Sequence, residues 1–126
     1  AKPEILAQRV ETFLRGLALR EAETMLRVFW GKLGVPDAPI SVRNYKRRWG
    51  SCSAEGDTII HWRLVFAPLP VFEAVCAHEA AHRIVLNHSP AFYRVLDGLL
   101  PNRSEAELWL KEHGPSLWAY GREPHK

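Results

Sequence analysis

Apolar residues recur along the first part of the chain at Leu6, Val10, Phe13 and Leu17, then at Ala22, Met25, Phe29 and Leu33. Steps of three and four place them on one helical face, so a helix is predicted from 3 to about 33. A bend is expected near Gly16, and Gly31 and Gly34 supply stop signals before the connector VPDAP. The period then changes. PISVRNYKRRWGSCSAEGDTIIHWRLVFAP is rich in β-branched and aromatic residues, is flanked by prolines and carries a turn signal in AEGD. It predicts two or three antiparallel strands, the turn near 55–57 joining a strand within 40–52 to one within 58–65. Helical spacing returns from about Pro70 through Val71, Val75, Ala81 and Val85, apolar nearly all round and therefore buried. Ser89 and Pro90 read as N-cap and first position of a helix to about Leu100. Ser104 with Glu107 is a capping-box signal for a last helix ending at Gly114 and Pro115.

A helix, a small antiparallel sheet and then further helices make an α+β protein. The sequence has no internal repeat and no linker that would divide it, so one domain over 1–126 is expected. The opening AKPEIL reads as mid-chain, as if the sequence were the core of a longer protein. No apolar run approaches the roughly 20 residues that span a bilayer. With only Cys52 and Cys76 there is no disulfide framework, and a reducing cytoplasm is the expected compartment. The formal charge is +3 and the pI about 9.1, with Arg43, Lys46, Arg47 and Arg48 clustered in RNYKRR. Such a cluster either meets nucleic-acid phosphates or protects a strand edge with solvated charge, and the second reading is preferred.

The buried helix poses the sharper question, because it carries His78, Glu79 and His82 among alanines and valines. Histidines four apart lie one turn apart on a common helical face, where two imidazoles can share a metal ion. Glu79 is rotated by about 100° from His78, badly placed as a third ligand but well placed to hold a water beside the metal. This is the HExxH arrangement, with the carboxylate as general base. In a continuous helix His88 would lie about 9 Å further along the axis and on another face. The helix must therefore stop before it, and Asn87, which tolerates the left-handed conformation, is the expected reversal point. Three nitrogens would leave a fourth position of a zinc ion open. Alternatives are a helix of hydrogen-bonded core histidines, a structural zinc site, and Glu105 or Glu107 as third ligand in place of His88.

RRWGSCS, IIHWRLVFAP, HEAAH and NHSPAF, in this order and spacing, resemble the YgjP-like zinc metallopeptidases, a branch of the zincins related to the SprT-like and WLM proteases. The resemblance covers about 20–112. It implies a minimal zincin-like fold with His78, His82 and His88 as ligands of one Zn2+ and Glu79 as the catalytic carboxylate. His61 stands where the family usually has asparagine, and Ala80 replaces a common bulky residue. Many relatives also carry an N-terminal β-rich segment that this sequence does not show.

The expected function is hydrolysis of peptide bonds in a peptide or protein substrate. The competing classes are a nucleic-acid-associated zinc protease module, bound through Arg43, Lys46, Arg47 and Arg48, and a non-catalytic zinc-stabilised domain. Tyr93, Tyr120 and Arg48 are candidate oxyanion donors. Trp49 and Gly50 are expected to form a tight bend against the site, and Asp97 or a backbone carbonyl to orient a ligand imidazole. His61 reads as a surface residue or a neighbour's partner, Cys76, Phe92, Tyr93 and Leu96 as packing, His113 as a helix-end charge and His125 as part of a tail.

Overall fold

The computed structural model describes residues 2–119. Helix α1 runs without a break from Pro3 to Leu33, so Gly16 does not bend it, and Gly34 caps it by donating to the carbonyls of Gly31 and Trp30. Only its second half is core: Ala18, Ala22, Leu26, Phe29 and Trp30 are buried. Leu6, Val10 and Phe13 share the helical face predicted for them yet are 57%, 49% and 62% exposed.

Three short strands follow: β1 Ile40–Arg43, β2 Gly50–Cys52 and β3 Thr58–His61. They form one sheet in the order β1-β3-β2. The β2–β3 pair is antiparallel, with Gly50 opposite Ile60 and Cys52 opposite Thr58, but β1 runs parallel to β3, with Ile40 opposite Thr58. The sheet is therefore mixed, where an antiparallel sheet was expected. The charged stretch 43–48 has no apolar alternation with which to extend β1 into β2. The chain leaves the sheet there and re-enters on the other side of β3, whose Thr58, Ile60 and His61 are buried. In the β2–β3 turn Gly56 adopts φ 98°, and the Ser53 hydroxyl accepts from the Asp57 N–H at 3.1 Å.

A 3-10 helix, Trp62–Phe66, leads into α2, Leu69–Ala81, whose Val71, Phe72, Val75, Cys76, Ala77, Ala80 and Ala81 are buried. Helix α3, Pro90–Leu99, opens with Pro90 in its first turn as expected, although Ser89 makes no side-chain cap. Helix α4 runs Ser104–Ala119 and does not stop at Gly114 and Pro115, because packing holds its last turn. Leu117 is 3% exposed and the Trp118 ring stacks on Trp49 with centroids 3.8 Å apart. The core joins the second half of α1, β3, the 3-10 helix, α2 and α3. No helix among the described residues is long and apolar enough to cross a membrane.

Candidate metal centre

Helix α2 ends one residue before His82, which caps it with helical angles (φ −66°, ψ −13°). A tight turn follows, closed by bonds from Arg83 N–H to Ala80 O at 2.9 Å and from Ile84 N–H to Ala81 O at 3.0 Å. The α-helix is left here, at 82–84, and the chain bends again at Asn87. No non-glycine among the described residues has positive φ, so Asn87 does not adopt the left-handed conformation expected of it. Its side-chain oxygen instead accepts from the Ser89 N–H at 3.3 Å, which shapes the entry to α3. Three-residue turn bonds carry the helical sense on to Ile84, and the chain then leaves it and bends at Asn87 without a strained residue.

The outcome is a convergence of three imidazoles. One ligand-capable atom each from His78, His82 and His88 lies within 4.8 Å of the other two, so the group could hold a metal ion. His78 Nε2 and His88 Nε2 are 3.1 Å apart. Two ring lone pairs facing each other at that distance repel unless a proton or a cation lies between them. The Nδ1 of His82 meets Val85 O at 3.0 Å; as a donor there, it leaves the Nε2 lone pair free. Phe92, fully buried, packs against all three rings, with centroids 4.9, 4.4 and 5.1 Å from those of His78, His82 and His88.

Electrostatics favour the neutral form of His78 and His82. Burial first, then the neighbouring His82 and His88, lower the pKa of His78 to about 4. Burial also lowers that of His82, against the hydrogen bond to Val85. Glu79 is 6% exposed, and burial lifts its pKa to about 7 despite the nearby positive charge of Arg48. Burial raises the thiols of Cys52 and Cys76, so neither is a ready thiolate.

The imidazoles and Glu79 line one cavity of about 540 Å³, together with Arg48 to Cys52 and parts of α2 and α4. Gly50 presses on Glu79 from the sheet: a Cβ there would lie 2.9 Å from Glu79 Cγ and 3.1 Å from its Oε2. The bend at Trp49 and Gly50 does pack against the site, as expected. Among the described residues β2 is an edge of the sheet with no strand paired on its outer side. Trp49 O, Ser53 N and the register place residues 49, 51 and 53 in bonded pairs with β3, so the N–H and C=O of Gly50 and Cys52 point away from it.

Other expected residues fall elsewhere. Asp97 orients no imidazole; it holds Arg103, which also grips both oxygens of Glu107 at 2.9 Å. Glu105 is exposed, and neither it nor Glu107 joins the histidine group. His61 is fully buried, not at the surface, packed at a tilt against the stacked Trp49 and Trp118 rings, with Nε2 on Tyr45 O at 2.9 Å and Nδ1 accepting from Arg63 N–H at 3.1 Å. Tyr93 is 40% exposed and so is not core. His113 Nδ1 meets Trp109 O at 3.2 Å. Tyr120 and His125 lie outside the described residues. The sequence did not single out Val85, whose contribution is a backbone carbonyl, or the packing of Phe92 beneath all three rings. An aromatic two residues after HSP was the only signal for the second.

Residues 1–113 match the family model described as YgjP-like, metallopeptidase domain. No curated protein and no solved structure matches the chain.

Proposed function

The chain belongs to the YgjP-like metallopeptidase family, and on that premise we propose that it hydrolyses peptide bonds with zinc held by His78, His82 and His88. The observation that carries this reading is the meeting of three imidazoles on the wall of a cavity that also contains the Glu79 carboxylate. Tetrahedral zinc with Zn–N bonds of about 2.0–2.1 Å sets its ligand nitrogens about 3.3 Å apart. The 3.1 Å between His78 and His88 Nε2 is close to that spacing. A structural zinc site closes with four protein ligands, whereas a catalytic one keeps a position for water or substrate. The group of three histidines, with no cysteine in it, suits the catalytic kind.

Zinc bound there would act as a Lewis acid toward the carbonyl and bring the pKa of water down toward about 7. Glu79 accepts a proton from the attacking water and delivers it to the leaving amine. Without the metal, burial lifts the pKa of this carboxylate to about 7, so it holds a proton more firmly than an ordinary one. Its burial against Gly50 fixes where that proton is held. Val85 O keeps His82 in one tautomer. An extended peptide can add to the free edge of β2 through the outward backbone groups of Gly50 and Cys52.

Zinc-reconstituted protein is expected to cleave an unfolded protein substrate, to lose this activity to a chelator and to regain it with zinc. Full zinc occupancy with no hydrolysis of any unfolded protein would leave a zinc-stabilised, non-catalytic domain in its place.

A further inference from the structure

Four cations lie within six residues, 43–48: Arg43, Lys46, Arg47 and Arg48. All four are exposed, and among the described residues no ion pair engages them. Arg15, Arg27 and Arg103, by contrast, each hold a carboxylate. Edge protection accounts for Arg43, at the end of β1, but not for 46–48, which lie outside every strand.

The segment is anchored. Asn44 Oδ1 accepts from the buried Arg63, Tyr45 O meets His61 Nε2 at 2.9 Å, and Tyr45 Oη meets Ser51 Oγ on β2 at 2.8 Å. These ties fix the loop against the sheet while its charges stay in solvent. Arg48, two residues before the free edge of β2, lines the cavity itself. Two carboxylates line the same cavity, and Glu79 feels the charge of Arg48, but neither forms an ion pair with it. Glu107 is gripped by Arg103, and Glu79 is packed under Gly50.

We infer that this anchored loop selects the substrate: the peptide taken by the cavity carries acidic side chains beside the scissile bond, on the side lying along 46–48. The inference rests on the peptidase reading. Arginine forks match carboxylates two bonds at a time, and a cleft lined by one sign of charge raises the local concentration of oppositely charged ligands. Exposed pairs are individually weak, so the selection comes from several acting together and fades with salt. A nucleic acid would meet the same cations, but a duplex or single strand is tracked by a longer row of basic contacts, and the formal charge of the chain is only +3. The cavity-lining position of Arg48 favours the acidic peptide.

Binding and turnover are measured separately. Labelled peptides of one length and of acidic, neutral or basic composition are titrated by anisotropy into zinc-loaded Glu79→Gln protein at low and high salt. Wild type is assayed for cleavage of the same peptides. The acidic peptide is expected to bind about tenfold more tightly than the neutral one at low salt, with the advantage shrinking at high salt. Arg48→Glu, and Lys46→Glu with Arg47→Glu, should remove the preference, while Arg9→Glu on the exposed first half of α1 should keep it. No preference, or one that Arg9→Glu removes equally, overturns the inference. So does an oligonucleotide that binds the loop more tightly than the acidic peptide and leaves its cleavage unaffected. Cleavage without charge preference defeats the inference alone. Charge preference in the Glu79→Gln protein with no cleavage by wild type defeats the peptidase reading alone.

Discussion

Two histidine sites are packed with aromatic rings, His61 alone and the group of His78, His82 and His88, and they mean different things. His61 is buried against the stacked Trp49 and Trp118, and backbone partners use both of its nitrogens. His78, His82 and His88 are packed over Phe92, yet among the described residues only His82 has a backbone partner, and the Nε2 atoms of His78 and His88 face each other. Burial and aromatic company do not distinguish the two sites. The accounting of ring nitrogens does: where both are bonded the histidine is a strut, and where lone pairs converge the group is ready for a cation.

The largest test of that contrast exchanges the two roles. His88→Ala should abolish tight zinc binding and all zinc-dependent turnover, read by metal analysis after dialysis. His61→Ala should retain zinc, while the orphaned Tyr45 carbonyl and Arg63 N–H cost about 3 kcal/mol, a fall in Tm of about 10 °C. Zinc lost from the second and kept by the first would reverse the assignment, and zinc lost only when Glu105 is replaced would move the third ligand to α4.

Next in size is Glu79→Gln, which should keep one zinc per chain and lower kcat about 10²- to 10⁴-fold, the usual contribution of general acid–base catalysis. Turnover retained in that variant would remove Glu79 from the chemistry. Gly50→Ala probes the wall that presses on Glu79. The added methyl displaces the carboxylate, and a shift of about 1 Å costs about 10²-fold in kcat at unchanged zinc content. An unaltered kcat would show that the close approach at Gly50 positions nothing.

The smallest effect is on stability and is read without metal. The folded pKa of Glu79, about 7 against an ordinary 4.5, means that the native state holds a proton the unfolded chain has released. Its relative stability is therefore present below pH 4.5 and is lost as pH rises to about 7. His78 works in the other direction: with a folded pKa of about 4 against 6.5, stability is lost as pH falls through that window. Metal-free Glu79→Gln should gain on wild type as pH rises from 4.5 to 7, by about 2–3 kcal/mol, and by no more above that. A gain independent of pH, by denaturant titration, would mean that the carboxyl is not held neutral.

Much of this was legible in the sequence, for reasons that differ between elements. The i, i+4 histidines report their own geometry, because a helix fixes which residues share a face. That the chain must turn between His82 and His88 followed from the rise per residue alone. How it turns followed only in part: the three-residue turn bonds at 82–84 need no special residue and leave no mark, and Asn87 marks a bend without the left-handed conformation expected of it. The sheet was legible in composition but not in pairing. Parallel contact of β1 with β3 depends on which partner buries Ile40 and Val42, a long-range choice. Pro115 signalled a stop to α4 that the stacking of Trp118 on Trp49 overrides. The apolar stripe at Leu6, Val10 and Phe13 reported helix correctly and burial incorrectly, since nothing among the described residues covers it.

The ending of α2 just before His82 also bears on how long an ion would stay. One protein ligand would sit inside the helix, one at its cap, and the third on a short span whose Ile84, Leu86 and Asn87 are exposed. Lifting that span detaches one nitrogen while the buried face of α2 stays in place. Residence time would then be set by local opening of 83–89, which is cheaper than global unfolding. Exchange of zinc for a competing cation should keep pace with amide hydrogen exchange in that span, long before the amides of α2 exchange.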